Sequence, residues 1–258
     1  IWGRGEAGTM AIMVALLIGF ALGLSGLRGQ FENKMKISGY PLDWTVLHRA
    51  NSNFGELLVI EYRQDSYIER RYLNDKLLQN TYDPETKQSR SLFTGALRWL
   101  AHAYTPKIER VLCIGMAAGI VPMQFANANP PITTDVVEIN GAVVPLAESY
   151  FDFDSTKVNL TIGDGRQFLN QSNQKYDAII LDAFLGDSSP SHLMTKEAFA
   201  EMNEHLTAHG VLVINSFGES SEKRQFFSAS LDQTLRVAFG QDRVRVHASG
   251  RGNVFFVA

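Results

Sequence analysis

VLCIGMAAG, residues 111–119, is the stretch that decides the fold. A short apolar run entering a glycine-bounded turn reads as a buried strand handing over to a helix. Small residues at Gly115, Ala117 and Gly119 let a ligand approach the backbone, and the helix they open presents amides that favour negative charge. The same G-x-x-x-G spacing also serves plain helix–strand packing, so both readings stand at this point. Position 117 is alanine, so the loop is not the G-x-G-x-x-G of nicotinamide dinucleotide binders.

Downstream, strand and helix patterns alternate. Strands are expected at 134–139, 158–162, 178–182 and 211–216, with helices at 119–128, 141–150, 166–171, 196–206 and 222–238. Residues 244–247 and 254–258 read as a closing antiparallel pair. Such alternation predicts a mainly parallel sheet covered on both faces, an α/β doubly wound Rossmann-like fold. Ligands of open α/β sheets bind beyond the carboxyl ends of the strands. Three carboxylates fall at those ends. Glu138 closes the second strand, 23 positions after Gly115, where a carboxylate accepts hydrogen bonds from ribose hydroxyls. Asp164, between Gly163 and Gly165, is placed to accept from an adenine amino group or to cap the following helix. Asp182 emerges from the apolar run 178–181, where desolvation should raise its pKa and suit it to take a proton. Asp177, at the other end of that strand, reads as a solvated charge.

Upstream, residues 46–82 carry strand-like stretches (GELLVIEY at 55–62, YIERRYL at 67–73) separated by polar turns, a small antiparallel β unit. Before it, residues 28–45 read as a polar connector. Residues 9–27 are almost wholly apolar, and as a helix would be about 28 Å long, close to the ~30 Å hydrocarbon thickness. The expectation is a membrane anchor or last transmembrane span within 1–30, with the bilayer as partner; a cleaved signal peptide and a buried core helix are the alternatives. Arg28, Lys34 and Lys36 follow it against Arg4 before it, which places the catalytic domain on the cytoplasmic side of a cell inner membrane. The β unit is assigned to 46–95 and the Rossmann-like domain to 96–258. With 24 Lys+Arg against 27 Asp+Glu, nothing neutralises phosphates, so no nucleic-acid partner is expected. The single cysteine, Cys113, lies in the apolar run and reads as a buried strand thiol.

Together the glycine turn and the three strand-end acids resemble the S-adenosylmethionine-binding fold of class I methyltransferases. IGDGRQFL (162–169) and YDAIILDAF (176–184) are more closely similar to the spermidine/spermine synthase (aminopropyltransferase) family, and GDSSPSHLMTKEAF (186–199) resembles its membrane-fused, synthase-like subgroup. The resemblance covers about residues 50–258, including Leu73-Asn74-Asp75 and Gln79. It implies a co-substrate, S-adenosylmethionine or its decarboxylated form, and transfer of an aminopropyl group to an amine with release of methylthioadenosine. It also implies Asp182 as catalytic base. Gly115, Ala117, Gly119, Glu138, Asp164, Gly165 and Gln79 are then cofactor-binding, with no metal and with a homodimer as the assembly. Asp187 and His192 are the candidate acceptor-side residues.

The sequence departs from the family at several points. Ala118 stands where an aspartate is usual, Leu185 where a second acid follows the catalytic one, and Phe54-Gly55 where the family has Tyr-Gln. Its Asp-Glu-x-x-Tyr-His stretch is not recognisable in residues 83–93. The nucleoside half of the site therefore looks intact and the polyamine half eroded. That leaves as alternatives a lyase making methylthioadenosine and homoserine lactone without an acceptor, a small-molecule methyltransferase, and a non-catalytic nucleoside sensor.

Overall fold

The computed structural model describes residues 44–184, 190–218, 222–248 and 252–258. Two sheets dominate. The first contains β1 (Trp44–Ser52), β2 (Gly55–Gln64), β3 (Tyr67–Asn74), β4 (Leu77–Asp83) and β5 (Gln88–Ser89) in sequential antiparallel order. The sequence expectation missed β1 because none of its residues is buried and WTVLHRANS shows no sustained apolar–polar alternation. The β3–β4 turn is held by Asp75 and Lys76, both with positive φ, and the Asp75 carboxylate accepts from the Glu56 amide at 2.8 Å.

α1 (Leu92–Tyr104) leads into the second sheet. Its strands are β6 (Arg110–Ile114), β7 (Thr133–Glu138), β8 (Asn159–Ile162), β9 (Tyr176–Leu181), β10 (Leu206–Gly218), β11 (Arg245–Ala248) and β12 (Gly252–Val257). In space they run β11-β12-β10-β9-β6-β7-β8. β8, β7, β6, β9 and β10 are parallel, and β12 pairs antiparallel with both β10 and β11. Helices α2 (Ile120–Ala126), α3 (Val143–Tyr150), α4 (Gly165–Gln171), α5 (Lys196–Glu204) and α6 (Glu222–Phe239) complete a Rossmann-like, methyltransferase-type α/β fold. The strand order reverses between β6 and β9, which opens a crevice above their carboxyl ends.

Strand register decides which side chains share that crevice. Alternate residues face opposite sides of a sheet. Val111 and Cys113 of β6, Val136 of β7, Ala178 and Ile180 of β9, Val211 and Val213 of β10, and Phe255 and Val257 of β12 join one core with Leu57, Val59, Tyr72 and Tyr82 of the first sheet. Continuing the same parity past the strand tips puts Glu138, Asp182 and Asn215 on this face. Leu112, Ile114, Ile179, Leu181, Leu212 and Ile214 face the other way, against α5 and α6. Cross-links to α3 hold the first sheet over the crevice: Arg70 donates to the Tyr150 carbonyl at 2.7 Å, Tyr150 to the Leu47 carbonyl at 3.2 Å, and Tyr82 to Asp152 at 2.6 Å.

At the far end of the sheet, Asp135 is buried and accepts from Arg110, from Asn159 at 2.6 Å and from the Tyr176 hydroxyl at 2.9 Å. Asp177 is not the solvated charge expected. Its carboxylate accepts from the amides of Glu109 and Arg110 and from the Thr207 hydroxyl, tying the starts of β6, β9 and β10 together. Cys113 is fully buried as expected, and burial pushes its thiol pKa up.

The apolar stretch 9–27, expected as a membrane anchor, lies outside the described residues. Among those described, no helix is long and apolar enough to cross a membrane. The longest, α6, carries the charges of Asp232 and Arg236. The inner-membrane placement with a cytoplasmic-side domain is therefore corrected: no described element supports it.

Candidate active site

One cavity sits above the carboxyl ends of β6, β7 and β9, roofed by the first sheet. Of the residues singled out from sequence, it is lined by Gln79, Gly115, Ala117, Glu138, Asp164, Gly165, Asp182 and His192. Gly119 does not line it. That glycine is the left-handed N-cap of α2, and a Cβ there would lie 2.4 Å from the Phe153 ring. Asp187 lies outside the described residues.

The loop after β6 is shaped by close backbone packing. Gly115 has φ +88°, and a Cβ on it would meet the Asp182 carbonyl oxygen at 2.4 Å. Gly115 therefore lets the β6 and β9 tips approach each other, which a side chain would prevent. Ala117 adopts φ +46°, an unfavourable left-handed conformation for alanine. The Ala118 amide donates to Asn80 Oδ1 of β4 at 3.3 Å, so a buried side chain of the first sheet fixes this loop.

Glu138 is 8% exposed. One carboxylate oxygen accepts from the Met116 amide at 2.9 Å and the other from the Asn140 amide at 2.8 Å. Burial raises its pKa against the opposing pull of the surrounding amides, those of Asn140 and Met116 foremost.

Asp164 takes the capping role open to it from sequence. Oδ1 caps α4 by accepting from the Gln167 amide at 2.9 Å, while Oδ2 lies 2.7 Å from His192 Nε2. Burial raises the Asp164 pKa, but the Gln167 amide and His192 outweigh it and leave the carboxyl below its ordinary value. His192, singled out as a candidate acceptor-side residue, lines the cavity paired with Asp164.

Asp182 is the protonatable member. Burial pushes its pKa up to about 6, opposed by one hydrogen bond, from Asn215 Nδ2 to Oδ1 at 2.8 Å. A carboxyl at that value is mostly ionised at neutral pH yet basic enough to take a proton from a reacting group. Among the described residues no group of three or more His, Cys, Asp or Glu side chains is arranged to hold a metal.

Sequence reasoning missed Phe54, Tyr72, Asn74, Asn140 and Phe184, which also line the cavity. Tyr72 and Asn74 lie on alternate positions of β3, but nothing local shows that this strand's end roofs a crevice formed far along the chain. Asn215 had a readable signal: it ends the apolar run VLVI of β10 as Asp182 ends AIIL of β9.

Residues 94–246 match the spermine/spermidine synthase domain model, and the chain belongs to that family. It is 34% identical over 181 residues to a polyamine aminopropyltransferase of Vibrio vulnificus, covering 68% of this chain and 60% of that protein. It is 31% identical over 140 residues to a probable polyamine aminopropyl transferase of Bifidobacterium longum, covering 54% of this chain and 31% of that one. The chain thus spans less than two thirds of either relative's length. A spermidine synthase crystallised with the transition-state analogue AdoDATO superposes with a TM-score of 0.68 at 17% identity, covering 83% of this chain and 73% of the other. Spermidine synthase from Thermotoga maritima gives 0.65 at 18%, with 82% and 72% covered. These structural likenesses establish the fold.

Proposed function

We propose that this protein is an aminopropyltransferase that uses decarboxylated S-adenosylmethionine and an amine, and releases methylthioadenosine. One observation carries this reading: three strand-tip carboxylates converge on one cavity, and burial pushes Asp182 up to about 6 with a single hydrogen bond opposing it. Membership of the synthase family and the named activity of its relatives support it.

In this reading Glu138 accepts from the ribose hydroxyls and Asp164 from the adenine amino group, while the loop 115–119 passes close to the nucleoside. Gln79 and Tyr72 of the roofing sheet bound the reacting end. Asp182 takes a proton from the acceptor amine. The amine lone pair attacks the CH₂ next to the sulfonium, a C–N bond forms, and the C–S electron pair returns to sulfur, discharging its positive charge. Fixing the two reactants in line supplies much of the acceleration, and the base keeps the amine nucleophilic. The homodimer expected for the family remains part of the proposal and is read directly by sedimentation.

Among the described lining residues only Asp182 is left to balance the acceptor's charge once Glu138 and Asp164 serve the nucleoside. Burying an unpaired cation costs several kcal/mol. That observation favours, as second reading, cleavage of S-adenosylmethionine by its own carboxylate to a lactone. Purified protein incubated with either sulfonium, with and without putrescine, separates the two. Methylthioadenosine formed only with amine supports transfer, and its formation from S-adenosylmethionine without amine supports the lyase. S-adenosylhomocysteine as product, or binding without turnover, refutes both.

A further inference from the structure

The Asp182 carboxylate is one end of a polar chain that crosses three neighbouring strands. Asn215, 3% exposed at the tip of β10, donates from Nδ2 to Asp182 Oδ1 at 2.8 Å. Asn253, near the start of β12, donates from Nδ2 to Asn215 Oδ1, also at 2.8 Å. The direction of this chain is determined by chemistry. An ionised carboxylate only accepts, whereas a carboxamide has one donating and one accepting end. With Asn253 occupying the accepting end of Asn215, its NH₂ must face Asp182.

We infer that Asn215 is a positioning residue for Asp182, and that Asn253 holds the Asn215 amide in the orientation the carboxylate requires. Oδ1 of Asp182 is thereby held, and the other oxygen is left for the proton of the acceptor amine. This inference rests on the reading of Asp182 as base. A second consequence is electrostatic. Asn215 supplies the hydrogen bond that opposes desolvation at Asp182, so its loss raises the carboxyl further and depletes the ionised base at neutral pH. Among the described residues that line the cavity, the other titratable groups are Tyr72 of β3, Glu138 of β7, and Asp164 with His192, and Cys113 of β6 lies in the core on the same face. Cys113 and Tyr72 are pushed upward by burial and are neutral, so neither competes for the proton.

The test is a carboxyl-¹³C titration of Asp182 in the full chain, paired with the pH profile of amine-dependent methylthioadenosine release. Asn215→Leu is expected to move the Asp182 midpoint to higher pH. Asn253→Asp is expected to do the same, because an acceptor there turns the Asn215 amide around and presents its oxygen to Asp182. Asn253→Ala, which merely frees the amide, should move it less. Turnover near pH 6 should fall about three- to tenfold as the acid limb follows the midpoint, with KM for the sulfonium nucleoside unchanged. A midpoint unmoved in both Asn215→Leu and Asn253→Asp overturns the inference even if the enzyme is active. A moved midpoint in a protein that makes no amine-dependent product upholds the positioning and refutes the aminopropyltransferase reading. Should Asn215→Leu fail to fold, Asn215→Thr and the two Asn253 variants give the same readout.

Discussion

Replacing Asp182 by asparagine should stabilise the protein while abolishing turnover of an amine acceptor, and the stabilisation should depend on pH. Asparagine keeps the shape and still accepts the Asn215 hydrogen bond through its oxygen, but has no charge to desolvate. The Asp182 carboxyl titrates at about 6 in the folded protein, against an ordinary value of 3.8. A raised folded value means that the native state binds its proton more tightly than the unfolded chain. Wild type therefore loses stability, relative to the variant, as pH rises from about 3.8 to 6, and the loss is complete above about 7. The difference of about two pKa units corresponds to roughly 3 kcal/mol, of which about 2 kcal/mol develops between pH 4.5 and 8. Urea denaturation of both proteins at these two pH values measures it as a change in midpoint at constant m. Near pH 4.5 the variant should lead by only about 1 kcal/mol, and near pH 8 by about 3 kcal/mol, so that it unfolds at clearly higher urea there. An Asp182→Asn advantage that is equal at both pH values, or absent at pH 8, would refute the claim that burial strains this carboxylate.

Three further outcomes follow from the geometry. Glu138→Ala should weaken binding of the sulfonium nucleoside by about 1–3 kcal/mol in calorimetry, the cost of losing hydrogen bonds to a charged group; unchanged affinity would move the ribose elsewhere. Gly115→Ala should lower stability by at least about 1–3 kcal/mol, since its φ of +88° disfavours a side chain and its Cβ would sit 2.4 Å from the Asp182 carbonyl; a melting temperature within a degree of wild type contradicts this. Arg110→Met should cost about 3–5 kcal/mol by leaving buried Asp135 without its cation, although Tyr176 and Asn159 still donate to it; equal urea midpoints would show that those two suffice.

What could be read from the sequence is what local patterns encode. The runs VLCI, DVVE, AIIL and VLVI announce buried parallel strands, and an acid at or just beyond a strand end announces a crevice, because parallel strands place all their carboxyl ends on one edge. Glu138, Asp164 and Asp182 were found in this way. What could not be read depends on long-range closure. β1 lacks a periodic signal, and Asp177 looks solvated until β6 and β10 bring two amides and the Thr207 hydroxyl to it. His192 could not be assigned a partner, since its contact with Asp164 spans 28 residues across a loop.

The roof raises the same question for chemistry. Ala118 removes an acid that the family usually carries in the glycine loop, yet its amide is held by Asn80 from the first sheet. Asn74 in turn donates to the Phe54 carbonyl, and Asn140 to the Ser52 hydroxyl. Neutral amides thus hold the loop and the roof together around the cavity. A neutral wall costs less to desolvate than a charged one but offers a polycation little compensation. On the reading proposed above, a roof of neutral amides facing the strand-tip carboxylates suits a donor whose positive charge is discharged as the reaction proceeds, and an acceptor that presents one amine to Asp182 and keeps any further charge in solvent. Competition among monoamines and diamines of equal length checks this directly: a diamine preference of less than about tenfold fits a neutral wall, whereas a preference of a thousandfold or more requires a second buried carboxylate at the acceptor end.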